Sequence, residues 1–236
     1  MKMIGSDFDG TIPTNKVILD STREKIKKFR EDGNLFVIVT GRSPKIFCQG
    51  IKNYGIDFFD YVICANGAVT MNQELEYLEI NEMKRETIKR IAAILCQQSD
   101  KKEIYVNTIK ESVLIELIED VDQIQDPMIS MSLKFDRIDQ RMQYDFHNIK
   151  GIDRFSNFVY TDIVPEGISK ASKLLALYDQ LHGDRLFTIG DGDNDRCMLE
   201  CCEDSYTFAH VEDSVKRSAK RIMKTIDDIL DDINAR

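Results

Sequence analysis

The first third of the chain alternates short, unbroken apolar runs with longer amphipathic stretches. Met3-Ile4-Gly5-Ser6 leads into Asp7-Phe8-Asp9-Gly10-Thr11, which predicts a strand ending in a glycine-bearing loop. Ser21 followed three residues later by Glu24 predicts a capping box, opening a helix that runs through Phe29 and stops at Gly33. Leu35-Phe36-Val37-Ile38-Val39 is continuously β-branched or apolar, as expected of a strand covered on both faces in a parallel sheet. It ends in Thr40-Gly41-Arg42, and Ser43-Pro44 opens a second helix with serine as cap and proline at the first position. A third run, Tyr61-Val62-Ile63-Cys64-Ala65, ends at Asn66-Gly67. Strand, helix, strand, helix, strand with short loops predicts a doubly wound α/β sheet. In such a sheet, ligands bind at the carboxyl ends of the strands.

The pattern changes near residue 80. Residues 83–98 form an amphipathic stretch with Ile88, Ile91, Ala92 and Leu95 on one helical face. Ile104-Tyr105-Val106 suits a strand, and 112–118 fits strand or helix. Between 129 and 135, Ile129, Met131, Leu133 and Phe135 alternate with Ser130, Ser132 and Lys134, the period of a half-solvated antiparallel strand. Ile138, Met142 and Phe146 then share a helical stripe, and 155–164 is a further extended run. This block reads as an α+β unit with helices on one face of an open antiparallel sheet. After Pro165-Glu166-Gly167 the first pattern resumes: Ser169 caps a helix over 169–181, a strand covers 186–189, Gly190 to Asp195 form its loop, and an acidic helix closes the chain around 226–233. The expected division is therefore a core of residues 1–80 and 164–236, with 81–163 inserted.

Composition narrows this little. The chain has 236 residues, 42% of them hydrophobic and 31% charged, as in an ordinary globular protein of about one and a half domains. Its formal charge is 32 − 41 = −9, which disfavours nucleic-acid backbones. No run approaches the roughly 20 apolar residues that span a bilayer, and the early Asp7 argues against a signal peptide. Cysteines at 48, 64, 96, 197, 201 and 202 form no Cys-x-x-Cys pair. Together these features predict a cytoplasmic protein, a monomer or weak homodimer, with neither nucleic acid nor membrane as partner.

Candidate chemistry lies at three strand ends: Asp7-Phe8-Asp9-Gly10-Thr11, Thr40-Gly41-Arg42 and Gly190-Asp191-Gly192-Asp193-Asn194-Asp195. Parallel strands bring these loops to one edge, where Asp7, Asp9, Asp191 and Asp195 should converge. Close carboxylates repel one another, and a divalent cation removes the repulsion. An all-oxygen set without histidine or cysteine favours Mg²⁺. Lys170, at the start of the helix after the inserted block, is placed to reach the same edge. The 191–202 segment does not read as an EF-hand loop, because Arg196 and Cys202 occupy the positions of its glycine and bidentate glutamate. Cys197 and Cys201 lie one helical turn apart but lack the further ligands of a zinc site. His147, His182 and His210 share no motif.

The order of these parts resembles the haloacid dehalogenase-like (HAD) superfamily of phosphohydrolases, and within it the Cof-type branch, whose cap is inserted between the second and third motifs. Asp7-Phe8-Asp9-Gly10-Thr11 resembles the first motif and Thr40-Gly41-Arg42 the second. Lys170 of Pro165-Glu166-Gly167-Ile168-Ser169-Lys170 resembles the third, and Gly190 to Asp195 the fourth; Asn66-Gly67-Ala68 also resembles this branch. His210 stands where these proteins often carry an Asn-containing turn. The resemblance implies a Rossmann-like core with a smaller α+β cap, and Mg²⁺-dependent hydrolysis of a small phosphorylated metabolite such as a sugar phosphate. It implies Asp7 as the nucleophile that becomes an aspartyl-phosphate, and Asp9 as general acid and base. Thr40, Gly41, Arg42, Lys170 and Asn194 would bind phosphate or substrate. The metal would be held by Asp7, Asp9 (through its backbone carbonyl), Asp191, and Asp195 directly or through water. A phosphomannomutase-like phosphomutase and a non-enzymatic phosphometabolite sensor are the alternatives.

Overall fold

The computed structural model describes residues 1–13, 17–96, 102–142 and 149–236. In chain order its elements are β1 (Lys2–Ser6), α1 (Asp20–Glu31), β2 (Leu35–Val39), α2 (Pro44–Tyr54), β3 (Tyr61–Cys64), β4 (Val69–Asn72) and β5 (Tyr77–Ile80). Next come α3 (Arg85–Cys96), β6 (Lys102–Thr108), β7 (Ser112–Ile115), α4 (Asp120–Gln123), β8 (Met128–Phe135), α5 (Ile138–Met142), β9 (Ile152–Asn157) and β10 (Tyr160–Pro165). The chain closes with α6 (Lys170–Gln180), β11 (Arg185–Ile189), α7 (Arg196–Glu200), β12 (Ser205–Phe208), α8 (Asp213–Ser218), β13 (Arg221–Met223) and α9 (Ile226–Asn234).

One sheet runs β13-β12-β11-β1-β2-β3-β4-β5. Its strands from β13 to β3 are parallel, and β4 and β5 extend it antiparallel. The continuous apolar runs are explained by cover on both faces. Along β2, Phe36 and Ile38 enter one core with Ile26, Phe29 and Ile229, whereas Val37 and Val39 enter the other with Leu174, Leu177 and Met198. Each such fully buried side chain contributes about 1.5–3 kcal/mol. Strand order reverses on either side of the β1–β11 pair, so the loops after β1, β2 and β11 open at a topological switch point.

The second sheet, β7-β6-β8-β10-β9, is antiparallel throughout. Ile104, Val106, Met131, Leu133, Phe135 and Ile163 on one face pack with Ile88, Ile91, Ala92 and Leu95 of α3. The polar positions between them, among them Tyr105, Asn107, Ser132, Lys134 and Asp162, face a cleft of about 620 Å³ rather than open solvent.

Three local expectations are corrected. Helix α1 starts at Asp20 with Leu19 in the cap position and no side-chain cap, so Ser21 lies inside the helix. Tertiary contact sets this start: Thr22, Ile26 and Phe29 make the buried face, and Thr22 Oγ1 donates to Asp227 Oδ1 at 2.5 Å. The run 155–164 is two strands of a hairpin that reverses at Phe158-Val159, with Phe158 at φ 47° and no glycine or proline to announce it. Ile138 is 50% exposed instead of facing the core. The remaining members of its stripe, the Met142 side chain and Phe146, lie outside the described residues, as do Gln97, Gln98 and His147. The ambiguous 112–118 segment begins as strand β7.

Candidate active site

The loop after β1 carries Asp7 to the carboxyl edge of the sheet. The Asp7 amide still donates to Ile189 O at 2.8 Å, which ties that loop to the end of β11. The tight turn at Gly10 has φ +82°, and a Cβ there would fall 2.2 Å from Asp191 Oδ2, so glycine lets the first and last loops meet. Thr11 Oγ1 donates to Asp191 Oδ1 at 2.9 Å, a second link between them.

Asp7, Asp191 and Asp195 each offer a carboxylate oxygen within 4.8 Å of the others. Asp195 Oδ2 accepts the amides of Asp191 and Gly192 at 3.1 and 2.8 Å, which fixes its carboxylate. Lys170, fully buried at the first turn of α6, donates to Asp7 Oδ1 at 2.5 Å and Asp195 Oδ1 at 2.6 Å. Ser169 caps that helix as expected: its hydroxyl accepts from the Ser172 amide and the Ser172 hydroxyl accepts from the Ser169 amide. One cation thus pairs with two of the three clustered carboxylates. Burial and the neighbouring Asp195 hold the Asp7 carboxyl well above the usual carboxylate range, and the same causes push Asp191 up to about 6. Burial alone would lower the Lys170 ammonium, but Asp195 and Asp7 outweigh it and hold Lys170 charged.

These residues fit a hard divalent cation. The donors are carboxylate oxygens without histidine or cysteine, and they are short of positive charge. The Asp9 carboxylate lies outside the trio. It forms a bidentate pair with Arg42, Nε to Oδ2 at 2.7 Å and a terminal nitrogen to Oδ1 at 2.5 Å. Arg42 is itself stacked 4.8 Å over the Phe8 ring. The four aspartates therefore divide into a trio around Lys170 and one partner of Arg42.

The other expected residues meet at the same edge. Asp7, Asp9, Thr40, Gly41, Arg42 and Asn194 line the cleft. Thr40 Oγ1 accepts the Arg42 amide at 3.1 Å, leaving its own proton to donate. Gly41 is packed against Asn66, whose Oδ1 would be 3.3 Å from a Cβ at that position. Asn194 Nδ2 donates to Asn66 Oδ1 at 3.4 Å.

The sequence reading gave Ser43 only as a helix cap and did not assign Asp162 to the site. Ser43 occupies the cap position of α2 without capping it, and its buried Oγ has no partner. Asp162, on β10, accepts from Ser132 Oγ at 2.6 Å and from Asn66 Nδ2 at 2.8 Å. The signal for Asp162 was an acid flanked by Thr161 and Ile163 in a strand-like run, which carries no motif. Cys197 Sγ donates to Asn194 O, and all six cysteines are unpaired thiols. No described helix is long and apolar enough to cross a membrane.

Comparison with known proteins bears on the fold and the family. YkrA of Bacillus subtilis, whose name assigns it provisionally to the phosphatases, is 24% identical over 249 residues, covering 96% of this chain and 93% of YkrA. A solved sugar phosphatase of HAD subclass IIB superposes with a TM-score of 0.83 at 18% identity, covering 100% of this chain and 98% of that one. The phosphatase BT1666 of Bacteroides thetaiotaomicron gives a TM-score of 0.80 at 18% identity, covering 100% and 94%. These structural likenesses share the α/β fold with its second, smaller sheet. The family model for haloacid dehalogenase-like hydrolases matches residues 4–128 and 98–231, and the chain belongs to that family.

Proposed function

We propose that this hydrolase is a Mg²⁺-dependent phosphatase of small phosphometabolites, sugar phosphates among them, acting through an aspartyl-phosphate on Asp7. In this reading residues 1–80 and 164–236 are the catalytic core, and 81–163 are a cap that closes the cleft over the substrate. The observation that carries it is the buried Lys170 joining Asp7 to Asp195 within the carboxylate trio at the switch point of the sheet.

Phosphate esters resist nucleophiles because they are already anionic, so catalysis consists of positioning and charge neutralisation. An oxygen of Asp7 attacks phosphorus and forms the acyl-phosphate bond as the ester P–O bond breaks. Asp9 gives a proton to the departing oxygen, then takes one from the water that hydrolyses the acyl-phosphate. Asp9 must first leave Arg42. Arg42 is held over Phe8, whereas the Asp9 side chain is 53% exposed, so Asp9 is the partner free to move. Thr40 and the Gly41 amide donate to the phosphoryl oxygens, and Lys170 offsets charge on Asp7 and on the phosphoryl group. Asn194 contacts substrate and keeps its loop against Asn66. Asp7, Asp191, the Asp9 carbonyl and Asp195, directly or through water, would hold Mg²⁺, which would supply further neutralisation of the anionic phosphoryl group.

The test is release of inorganic phosphate from a panel of phosphate esters, with Mg²⁺ and with EDTA, by the wild type and Asp7→Asn. Release that needs both Mg²⁺ and Asp7 is expected. Inactivity across the panel, or an Asp7→Asn variant with full activity, refutes the reading. Phosphoryl return to the sugar, stimulated by a sugar bisphosphate, would identify a mutase instead.

A further inference from the structure

A second cavity, of about 360 Å³, lies against another face of α2. That volume takes a small molecule. Ser43 and Ile46 line the catalytic cleft, whereas Lys45, Cys48, Gln49 and Lys52 line this cavity, and the two share no lining residue. Across from α2 stand Tyr77 of β5 and the turn Ile109-Lys110 between β6 and β7. The Tyr77 hydroxyl donates to Ile109 O at 3.2 Å, so the cavity sits where the first sheet meets the second.

The charge here runs against that of the chain. The formal charge is −9 overall, yet the cavity is lined by three lysines and no carboxylate. Lys110 is paired with Asp126 at 2.5 Å and keeps two further ammonium protons. Lys45 and Lys52 are exposed, and among the described residues their ammonium groups have no ion-pair or hydrogen-bond partner. Lys27, Lys89 and Lys173, by contrast, each hold a carboxylate. Lys45, Gln49 and Lys52 follow at intervals of four and three and so share one helix face. The two lysines are about 10 Å apart along the helix axis. A single exposed ion pair contributes little, because water competes and a long side chain loses its freedom. A ligand with an anionic group at each end meets both free ammoniums at once, with the Gln49 amide between them.

We propose that this cavity is a binding site for a small polyanion, a compound with at least two separated phosphate or carboxylate groups, held by Lys45 and Lys52 with Lys110 and Gln49 in support. Bound there, it ties α2 to the β6–β7 turn. The test uses inorganic tripolyphosphate, titrated calorimetrically into the full chain at low salt in EDTA. It reads binding and no turnover, so its outcome is separate from that of the phosphatase reading. Saturable binding is expected, with Kd at least about tenfold higher in Lys45→Gln/Lys52→Gln and at least about tenfold higher for inorganic monophosphate. Lys27→Gln/Lys89→Gln makes the same change in net charge and should leave Kd within about twofold of wild type. Tripolyphosphate should also protect Cys48, which lines the cavity, from alkylation by iodoacetamide, and leave the exposed Cys201 as reactive as before, as read by peptide mass mapping. No saturable binding, undiminished affinity in Lys45→Gln/Lys52→Gln, an equal loss in Lys27→Gln/Lys89→Gln, equal binding of monophosphate, or an unprotected Cys48 overturns the proposal.

Discussion

Replacing Asp191 by asparagine should make the metal-free protein more stable near neutral pH, not less. Asp191 sits with Asp7 and Asp195 in a trio whose ammonium, Lys170, bonds the other two, and burial together with Asp195 pushes its carboxyl from the usual 3.8 up to about 6. A carboxyl raised in the folded state contributes stability below its ordinary value and loses that contribution as pH climbs through the folded value. Ionised Asp191 therefore costs the folded state about 3 kcal/mol once the pH is well above 6. Asparagine removes the charge and keeps an oxygen to accept the Thr11 hydroxyl, which now sits at 2.9 Å. With roughly 2–4 °C per kcal/mol for a chain of this size, the variant should melt about 6–12 °C above the wild type near pH 7.5 in EDTA. The gap should narrow as the pH falls through 6 towards 4, where the wild-type carboxyl regains its proton. Saturating Mg²⁺ should stabilise the wild type by about 2.7 kcal/mol at a hundredfold excess over Kd, raising its melting temperature, and stabilise the variant much less. Calorimetry across that pH range with and without Mg²⁺ is the assay. A metal-free Asp191→Asn variant that melts below the wild type near pH 7.5 would refute the argument that the trio is short of positive charge.

Two further substitutions probe neighbouring parts of the site. Lys170→Met leaves Asp7 and Asp195 buried without their shared cation, so chemical denaturation near neutral pH should show a loss of about 3–5 kcal/mol; the deficit should shrink on acidification, as protonated carboxyls no longer need the cation. Ser43→Ala removes a buried hydroxyl that has no partner and does not cap α2. It should therefore spare the protein the usual loss of about 1 kcal/mol for an N-cap serine and leave urea stability unchanged or raised.

The core was legible because its signals are local and repeated. The runs at Leu35–Val39 and Tyr61–Cys64 are continuous because alternate residues serve opposite faces of a parallel sheet, and that need is written directly into the sequence. The alternation in β8 revealed an antiparallel strand, but not that Ser132 and Lys134 look into a cleft, since polar residues facing a site and facing solvent have the same period. Asp7, Asp191, Asp195 and Lys170 were found because glycine-bearing loops at three strand ends share an edge. The Asp9–Arg42 pair was not, because which carboxylate a long side chain takes is settled by packing, here by the stacking of Arg42 on Phe8. Asp162 and Asn66 meet across 96 residues of chain, and no local pattern encodes such a contact. The hairpin turn at Phe158 was equally silent, since its left-handed residue is neither glycine nor asparagine.

The most direct measurement is a rapid acid quench during turnover of a phosphate ester with Mg²⁺, followed by peptide mass mapping. The account predicts one phosphoryl group on the peptide containing Asp7, formed at a rate consistent with turnover and absent from Asp7→Asn. Turnover with no phosphorylated peptide under any quench time, or with the phosphoryl group on another residue, would contradict it.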